Sequence, residues 1–286
     1  IKVIREGHYD VRLSAPEFVK LATWVDTNGQ YYGSYFGHRN LRYRERSDFR
    51  PAPTLASAYG HRPGWEQLAP QPPVPAQLIG HWTFDEGQGT MAADVSGQDH
   101  HGTLHAANWT PGVRGGAVAF SGNDAFVRVG DWEGEFETLS VAFWVRVDSH
   151  PNRWNPILFC DDWSEQDLHL SVLNEGQPNA AINNGSSAGN HRAADTSVAD
   201  GQWHHVVLVC DQRQGGSVQF FVDGRPNRKH KLFMADIPLR LTGVRLGGYN
   251  VWEKTPGANF HGALDDFRIY RGQLTEKQVA ELAAGR

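Results

Sequence analysis

From Leu78 onward the chain is written in short strands, and that pattern constrains it more than any other feature. VAFWVRV (141–147), HHVVLVC (204–210), VQFFV (218–222), RLGGY (245–249) and DDFRIY (265–270) run apolar or alternate over five to seven residues. Segments this short, rich in β-branched and aromatic residues, are strands; a helix needs a longer run at 3.6-residue spacing. Turn signals separate them, including Gly215-Gly216 and the hairpin pair Asp223-Gly224. Helical spacing appears only at Thr275-Glu-Lys-Gln-Val-Ala-Glu-Leu282, where the threonine is placed to cap a short terminal helix. The predicted fold class is all-β, a two-sheet antiparallel jelly-roll sandwich.

The residues before this region follow other rules. Residues 51–75, PAPTLASAYGHRPGWEQLAPQPPVP, hold seven of the 15 prolines. Proline fixes φ and removes a backbone donor, so 51–76 reads as an extended, semi-rigid linker that Trp65 and Leu68 could pin to a surface. Within residues 1–50, Ser14-Ala-Pro-Glu17 resembles a helix start, and Phe18, Leu21, Ala22 and Val25 repeat at helical spacing up to Thr27-Asn28-Gly29. One helix and a YYGSYFG loop cannot bury a core. Residues 1–50 are therefore expected to be an incomplete segment of a larger domain, with 77–286 the complete one.

Charge and composition remove several function classes. The 286 residues carry a net charge of −5, which hides a basic leader: residues 1–50 hold 9 Lys/Arg against 6 Asp/Glu. An acidic chain offers no broad basic field, so no nucleic-acid partner is expected. Two cysteines cannot supply a disulfide framework or a four-thiolate zinc site. Cys160 and Cys210 each end an apolar strand and are read either as one bridge or as two buried thiols. No stretch approaches the roughly 20 apolar residues of a membrane span. The opening Ile-Lys-Val shows no signal peptide, which suits a mature product or one piece of a longer polypeptide.

Four stretches carry a family resemblance: HWTFDEGQGTMAADVSGQDHHGTL (81–104), GGAVAFSGNDAFVRV (115–129), DGQWHHVVLVCD (200–211) with FFVDGR (220–225), and FHGALDDFRIYRGQLTEKQVAEL (260–282). In order and spacing they resemble the bacterial laminin-G-like, concanavalin A-like jelly roll. The resemblance implies a lectin-like sandwich with a concave face, in a glycan- or protein-binding module of an extracytoplasmic (secreted, periplasmic or surface) protein. Ligand identity varies within such a fold, so the fold alone does not name it. Residues of about 8–50, through LSAPEFVKLATWVDTNGQYYGSY (13–35), more loosely resemble the end of the middle domain of proteins similar to the hydrazine synthase alpha subunit. No Cys-x-x-Cys-His motif is present to hold a c-type haem.

In the resembled fold the first and last strands lie side by side, which would bring Asp85 and Asp265 together. Paired carboxylates repel unless protonated or bridged by a cation, and Ca²⁺ with oxygen ligands would relieve the repulsion. Asp94, in the nearby loop, could add a third ligand to this structural calcium site. The alternative is that these acids cap turns by accepting backbone N–H bonds. The histidine pairs His100-His101 and His204-His205 point to opposite faces of extended chain and are read as structural.

Tryptophan is abundant, with 10 residues. Trp82, Trp144 and Trp203 sit inside apolar strand patterns and are assigned to the core. Trp132, Trp154, Trp163 and Trp252 sit in polar, turn-rich stretches, where an exposed indole can stack on a sugar ring while neighbouring polar groups bond hydroxyls. The candidate ligand-binding residues are Trp154, Asp162, Trp163, Asn183, His191, Arg192 and Trp252. A lectin-fold glucanase would need paired acids, commonly Glu-x-Asp-x-x-Glu; Glu165-Gln-Asp167-Leu-His-Leu170 lacks the second glutamate. The expectation is a non-catalytic module that binds a glycan. The rival is a docking module that holds its parent protein to a partner protein or subunit, with Arg39 to Arg50 and the exposed tryptophans as interface.

Overall fold

The computed structural model describes residues 14, 72–150, 152–160, 163–183, 190–213, 216–231, 237–249 and 258–285. The chain divides into two compact units, 1–69 and 70–286. The helix expected after Ser14 and most of the linker lie outside the described residues. The linker's last residues belong to the second unit: Val74 and Gln273 exchange hydrogen bonds of 3.1 and 2.8 Å, and Arg213 donates to Pro72 O at 3.1 Å.

Among the described residues the second unit is two antiparallel sheets. Sheet I runs β14 (Arg225–Lys231), β13 (Ser217–Val222), β12 (Trp203–Asp211), β7 (Thr138–Ser149), β16 (His261–Arg271), β5 (Gly116–Ser121), β4 (Asn108–Pro111), and β1 (Gln77–Trp82) pairs the second half of β16. Sheet II runs β11 (Asn190–Ala193), β10 (Pro178–Ile182), β9 (Leu168–Leu173), β8 (Trp154–Phe159), β15 (Val244–Leu246), β6 (Phe126–Gly130), β3 (Gly102–His105), β2 (Met91–Ala92). Spatial neighbours that are distant in sequence, such as β7 and β16, mark the crossovers of a jelly roll. The strands foreseen from apolar runs are present, except that RLGGY is a strand only over Val244–Leu246 and leaves it at Gly247, whose φ is 73°. The turn joining β13 to β14 holds both Asp223 (φ 50°) and Gly224 (φ 74°) in the left-handed region, as a type I′ hairpin requires.

Alternation decides what fills the space between the sheets. Val141, Phe143, Val145 and Val147 of β7 face Leu168, Leu170, Val172, Ala180 and Ile182 of sheet II within one core. Trp82 is buried there, edge-on to Trp132 at 5.9 Å. Their contact needs Gly80, because a Cβ at that position would sit 2.7 Å from the Trp82 ring. Trp132, expected on an exposed loop, is thus a core residue. Trp144 and Trp203, expected in the core, are half-buried on the outer face of sheet I, since β7 turns Phe143, Val145 and Val147 inward and Trp203 is in register with Arg146. Arg146 lies over the Trp203 ring at 5.4 Å.

The outer face of sheet I is apolar at one end, where α1 (Glu276–Ala284) covers it. Val279, Leu282 and Leu274 pack on Ala142, Val207, Val209 and Phe221, and burying each such side chain contributes about 1.5–3 kcal/mol. A capping box between Thr275 and Gln278 starts the helix, and left-handed Gly285 ends it. Cys160 and Cys210 are buried and not bridged to each other. Burial pushes the Cys210 thiol far above its ordinary range, which leaves it unreactive.

Candidate functional site

The three carboxylates expected to hold calcium sit at turns. β16 pairs β5 through Leu264 and β1 from Phe267 onward, so Asp265 and Asp266 occupy the gap between those partners, with Asp266 at φ 47°. The 112–115 turn folds into that gap: Val113 N and Arg114 N donate to Asp265 Oδ2 at 2.7 and 3.1 Å, and Gly116 N donates to Asp85 Oδ1 at 2.7 Å. Asp94 accepts from His81 N, Ser96 N, Ser96 Oγ and His100 N, all within 3.0 Å. Burial opposes its charge, but these donors hold the Asp94 carboxyl below the ordinary range. Asp266 is likewise held low against burial, by His81 Nε2 at 2.7 Å and the guanidinium of Arg268 at 2.9 Å. Asp265 goes the other way, pushed up to about 6, chiefly by burial. Donors thus take Oδ2 of Asp265 and Oδ1 of Asp85, while Oδ1 of Asp265 is buried without a hydrogen-bond partner. Among the described residues no three His, Cys, Asp or Glu side chains are grouped to hold a metal ion. Asp85, Asp94 and Asp265 each accept the backbone N–H bonds of turn capping, the alternative reading of these acids.

The outer face of sheet II is built differently. With Leu168, Leu170, Val172, Ala180 and Ile182 turned inward, the alternate residues His169, Ser171, Asn179 and Ala181 face outward, in register across β9 and β10. His169, Ser171 and Asn179 are nevertheless buried, at 7%, 3% and 2% exposure. Trp154 and His191 explain part of this. They stand on β8 and β11 with two strands between them, a span of about 14 Å at normal strand spacing. Their rings still stack, with centroids 5.5 Å apart and planes 10° from parallel, so they arch over the small side chains below. Asn179 Nδ2 lies 3.3 Å from Ser171 Oγ and 3.5 Å from His191 Nδ1. Arg153 lies over the Trp154 ring at 4.7 Å.

Beside this roof His169 stacks on Phe159 at 4.0 Å and meets Trp163 at 4.5 Å, and Tyr249 meets Phe159 at 5.1 Å. Burial drives the His169 pKa down to about 3, so the imidazole is neutral. Its Nε2 lies 3.1 Å from Cys160 O and donates to it, which makes Nδ1 the acceptor. The His191 pKa is lowered by burial and then by Arg153 and Arg192, so this ring too is neutral near pH 7. Further along the sheet, Arg245 lies 4.9 Å over Phe126 and is in register with Arg128, while His105 stacks on Phe126 at 4.5 Å.

Four of the seven residues expected to bind ligand converge here: Trp154, Trp163, Asn183 and His191. Asn183 Nδ2 donates to Trp163 O, tying the two loops together. Arg192 is in register with inward-facing Ala180 and so belongs to the opposite face, though its guanidinium donates to His191 O at 2.8 Å. Asp162 and Trp252 lie outside the described residues. The sequence reading overlooked Phe159, His169, Ser171, Asn179, Tyr249 and Arg245. Polar residues at alternate positions of LHLSVL and PNAAI were the available signal. Asp167, the acid nearest a glucanase motif, is 1% exposed and accepts from Ser164 N at 2.6 Å and Thr242 Oγ1 at 3.3 Å. Position 170, where that motif has its second glutamate, is Leu170, facing the core.

Two crossed-over antiparallel sheets sharing one core define a lectin-type jelly-roll sandwich. Residues 121–280 match the laminin-G model of the concanavalin A-like lectin/glucanases superfamily, and the chain belongs to that family. The sequence matches no curated protein. Among solved structures it is similar to domain 4 of an extracellular arabinanase from Geobacillus stearothermophilus in complex with arabinotriose. That match has 22% identity and a TM-score of 0.55, and covers 73% of this chain and 100% of that one. It is also similar to the ligand-binding domain of botulinum neurotoxin serotype D in complex with N-acetylneuraminic acid, with 15% identity, a TM-score of 0.58, and coverage of 73% and 51%. The binding domain of botulinum neurotoxin DC in complex with rat synaptotagmin II gives 13% identity, a TM-score of 0.58, and coverage of 73% and 51%. The chain thus spans the whole arabinanase domain and about half of each toxin domain. None of these matches bears on the resemblance of residues 13–35 to hydrazine synthase-like proteins. Among the described residues no helix is long and apolar enough to cross a membrane.

Proposed function

We propose that the chain is a non-catalytic carbohydrate-binding module of a larger extracytoplasmic protein, and that its ligand lies on the outer face of sheet II. The observation that carries this reading is the set of aromatic rings, imidazoles and amides that Trp154, Phe159, His169, Asn179 and His191 gather on one sheet face. The half-buried Trp154 ring and the exposed His191 imidazole offer flat surfaces and a hydrogen-bonding edge to a sugar, with Phe159, His169 and Asn179 buried beside them. Retaining glycoside hydrolysis needs two carboxyls about 5 Å apart. Among the described residues beside this face, Asp167 accepts loop hydrogen bonds from Ser164 N and Thr242 Oγ1. This supports the reading of binding without turnover.

A docking role is the second reading, favoured by the fold-sharing toxin domain in complex with synaptotagmin II. A glycan array probed with the full chain separates the two. Saturable binding to a defined set of glycans, lost in Trp154→Ala, supports the carbohydrate reading. A silent array, with the chain co-purifying stoichiometrically with a protein, replaces it with docking.

A further inference from the structure

The polar floor on the outer face of sheet II is roofed by an imidazole from an edge strand. His191 stands on β11, the outermost strand of the sheet, in register with Ala181. The residue is exposed, whereas Ser171, Asn179 and Ala181, beneath the roof it forms with Trp154, are buried. Two contacts hold the ring there. One is the stacked indole of Trp154; the other is the amide of Asn179, whose Nδ2 lies 3.5 Å from His191 Nδ1. An amide N–H₂ only donates, so this contact requires Nδ1 as acceptor and an imidazole that is neutral, with its proton on Nε2.

The surroundings decide what a second proton does. It enters at Nδ1 and sets an N–H against the N–H₂ of Asn179. Strands β8, β9 and β10 carry no aspartate or glutamate to compensate it. Among the described residues the charged or titratable groups that act on the ring are Arg153 beside β8, Arg192 on its own strand and His169 on β9, all cationic or neutral. The flanking acids Glu175 and Asp195 are exposed, and Asp195 is engaged by Arg228 Nη1 at 2.6 Å. Stacking on an indole favours a cation, but Arg153 already lies over the Trp154 ring at 4.7 Å, so a charged imidazole would share that ring with a like charge. Burial, then Arg153 and Arg192, hold the His191 pKa below the ordinary histidine range. A closed roof that disfavours the charged ring is, by linkage, opened by it.

We infer that His191 is a pH-sensitive keystone of this face: neutral, it closes the roof with Trp154 over Ser171 and Asn179, and protonated, it swings off and releases the glycan stacked there. The inference rests on the carbohydrate reading for its ligand and adds the regulation of that site. β11 is paired on one side only, by β10, so it can give way while the other strands of the sheet stay paired.

Imidazole NMR of the full chain, titrated from about pH 7.5 to about pH 4.5, tests the switch with the proton itself as probe. At the upper pH the His191 proton should sit on Nε2, and the ring protons should carry the ring-current shift of the stacked indole. The midpoint should fall below the ordinary histidine value, and the ring-current shift should vanish as the ring titrates. Asn179→Asp replaces the donor by an acceptor and should move the midpoint above the ordinary value; if that variant does not fold, the wild-type titration carries the test. The glycan array, read with the full chain at the same two pH values, should lose signal at least about tenfold on acidification. A ring-current shift that survives the titration, or a wild-type midpoint at or above the ordinary value, overturns the switch whatever the array shows. A roof that opens over an array silent at both pH values leaves the switch standing and overturns the carbohydrate reading. Glycan binding that is equal at both pH values although the roof opens overturns the regulation of this site.

Discussion

Replacing Asp265 by asparagine separates turn capping from cation binding, because the two roles predict opposite signs. Asp265 has no exposed surface, one carboxylate oxygen takes two backbone N–H bonds, and Oδ1 is buried without a protein partner. Its pKa is raised from an ordinary 3.8 to about 6. Between those values the folded chain keeps a proton that the unfolded chain has lost. Stability therefore falls as pH rises from about 4 to about 6, and stays lowered above that. A rise of about two pKa units corresponds to about 3 kcal/mol. The carboxyl lies beneath the outer sheet surface, where nearby solvent screens it, and a discounted figure is about 1–2 kcal/mol. Asparagine keeps an acceptor for Val113 and Arg114 and carries no charge, though its bonds to those donors are weaker. The expected net effect at pH 7.5 is a gain of about 1 kcal/mol, or about 2–4 °C in melting temperature for a unit of this size. Near pH 4 the gain should vanish. Thermal unfolding of the full chain by circular dichroism, at both pH values and with and without chelator, reads this out, and the chelator should leave the wild-type midpoint unchanged. A lower midpoint for Asp265→Asn at pH 7.5, together with calcium raising the wild-type midpoint alone, would show that Asp265 is a cation ligand and refute the capping argument.

Two further outcomes follow from the same geometry. His204 is clasped between Asp223 Oδ2 at 2.9 Å and Asp200 Oδ1 at 3.1 Å, and against the opposing effect of burial these carboxylates raise its pKa. The clasp's contribution is complete below the ordinary histidine value and is lost as pH rises through the higher folded value. The melting-temperature gap between wild type and His204→Gln should therefore be widest near pH 5.5 and close by about pH 8.5; a gap independent of pH would contradict the clasp. Gly115 has φ +80°, and a Cβ there would collide with Asp85 Oδ1. Gly115→Ala should cost about 1–3 kcal/mol, and an unchanged urea midpoint would show that the 112–115 turn is not clamped by Asp85.

The fold was legible because its signals are local. Strands such as VQFFV announce themselves by composition, and Asp223-Gly224 by its turn chemistry. Faces were harder to read. In VAFWVRV both neighbours of Trp144 are apolar, so alternation could not say which residues point inward, and the covered outer face of sheet I made an outward tryptophan look like core. Trp132 went wrong for a long-range reason, since its place beside Trp82 depends on the missing side chain of Gly80, about 50 residues earlier. The site was legible only in part. Trp154, Trp163 and His191 stood out as aromatic or basic residues in polar settings. His169 and Asn179 did not, because a polar residue at an alternating position normally means solvent. Their burial arises from rings on strands that pair only in the folded chain. The carboxylates were legible by proximity: Asp85 and Asp265 do meet one turn, where both accept backbone N–H bonds.

Hydrogen–deuterium exchange of the full chain, with and without a saturating glycan chosen from the array, tests the central claim most directly. The account predicts slowed exchange over 154–159, 168–173, 178–183 and 190–193, the strands carrying the aromatic and imidazole face, with β16 and α1 unchanged. Slowed exchange confined to β16, α1 or the 112–115 turn would place the ligand on sheet I and contradict it.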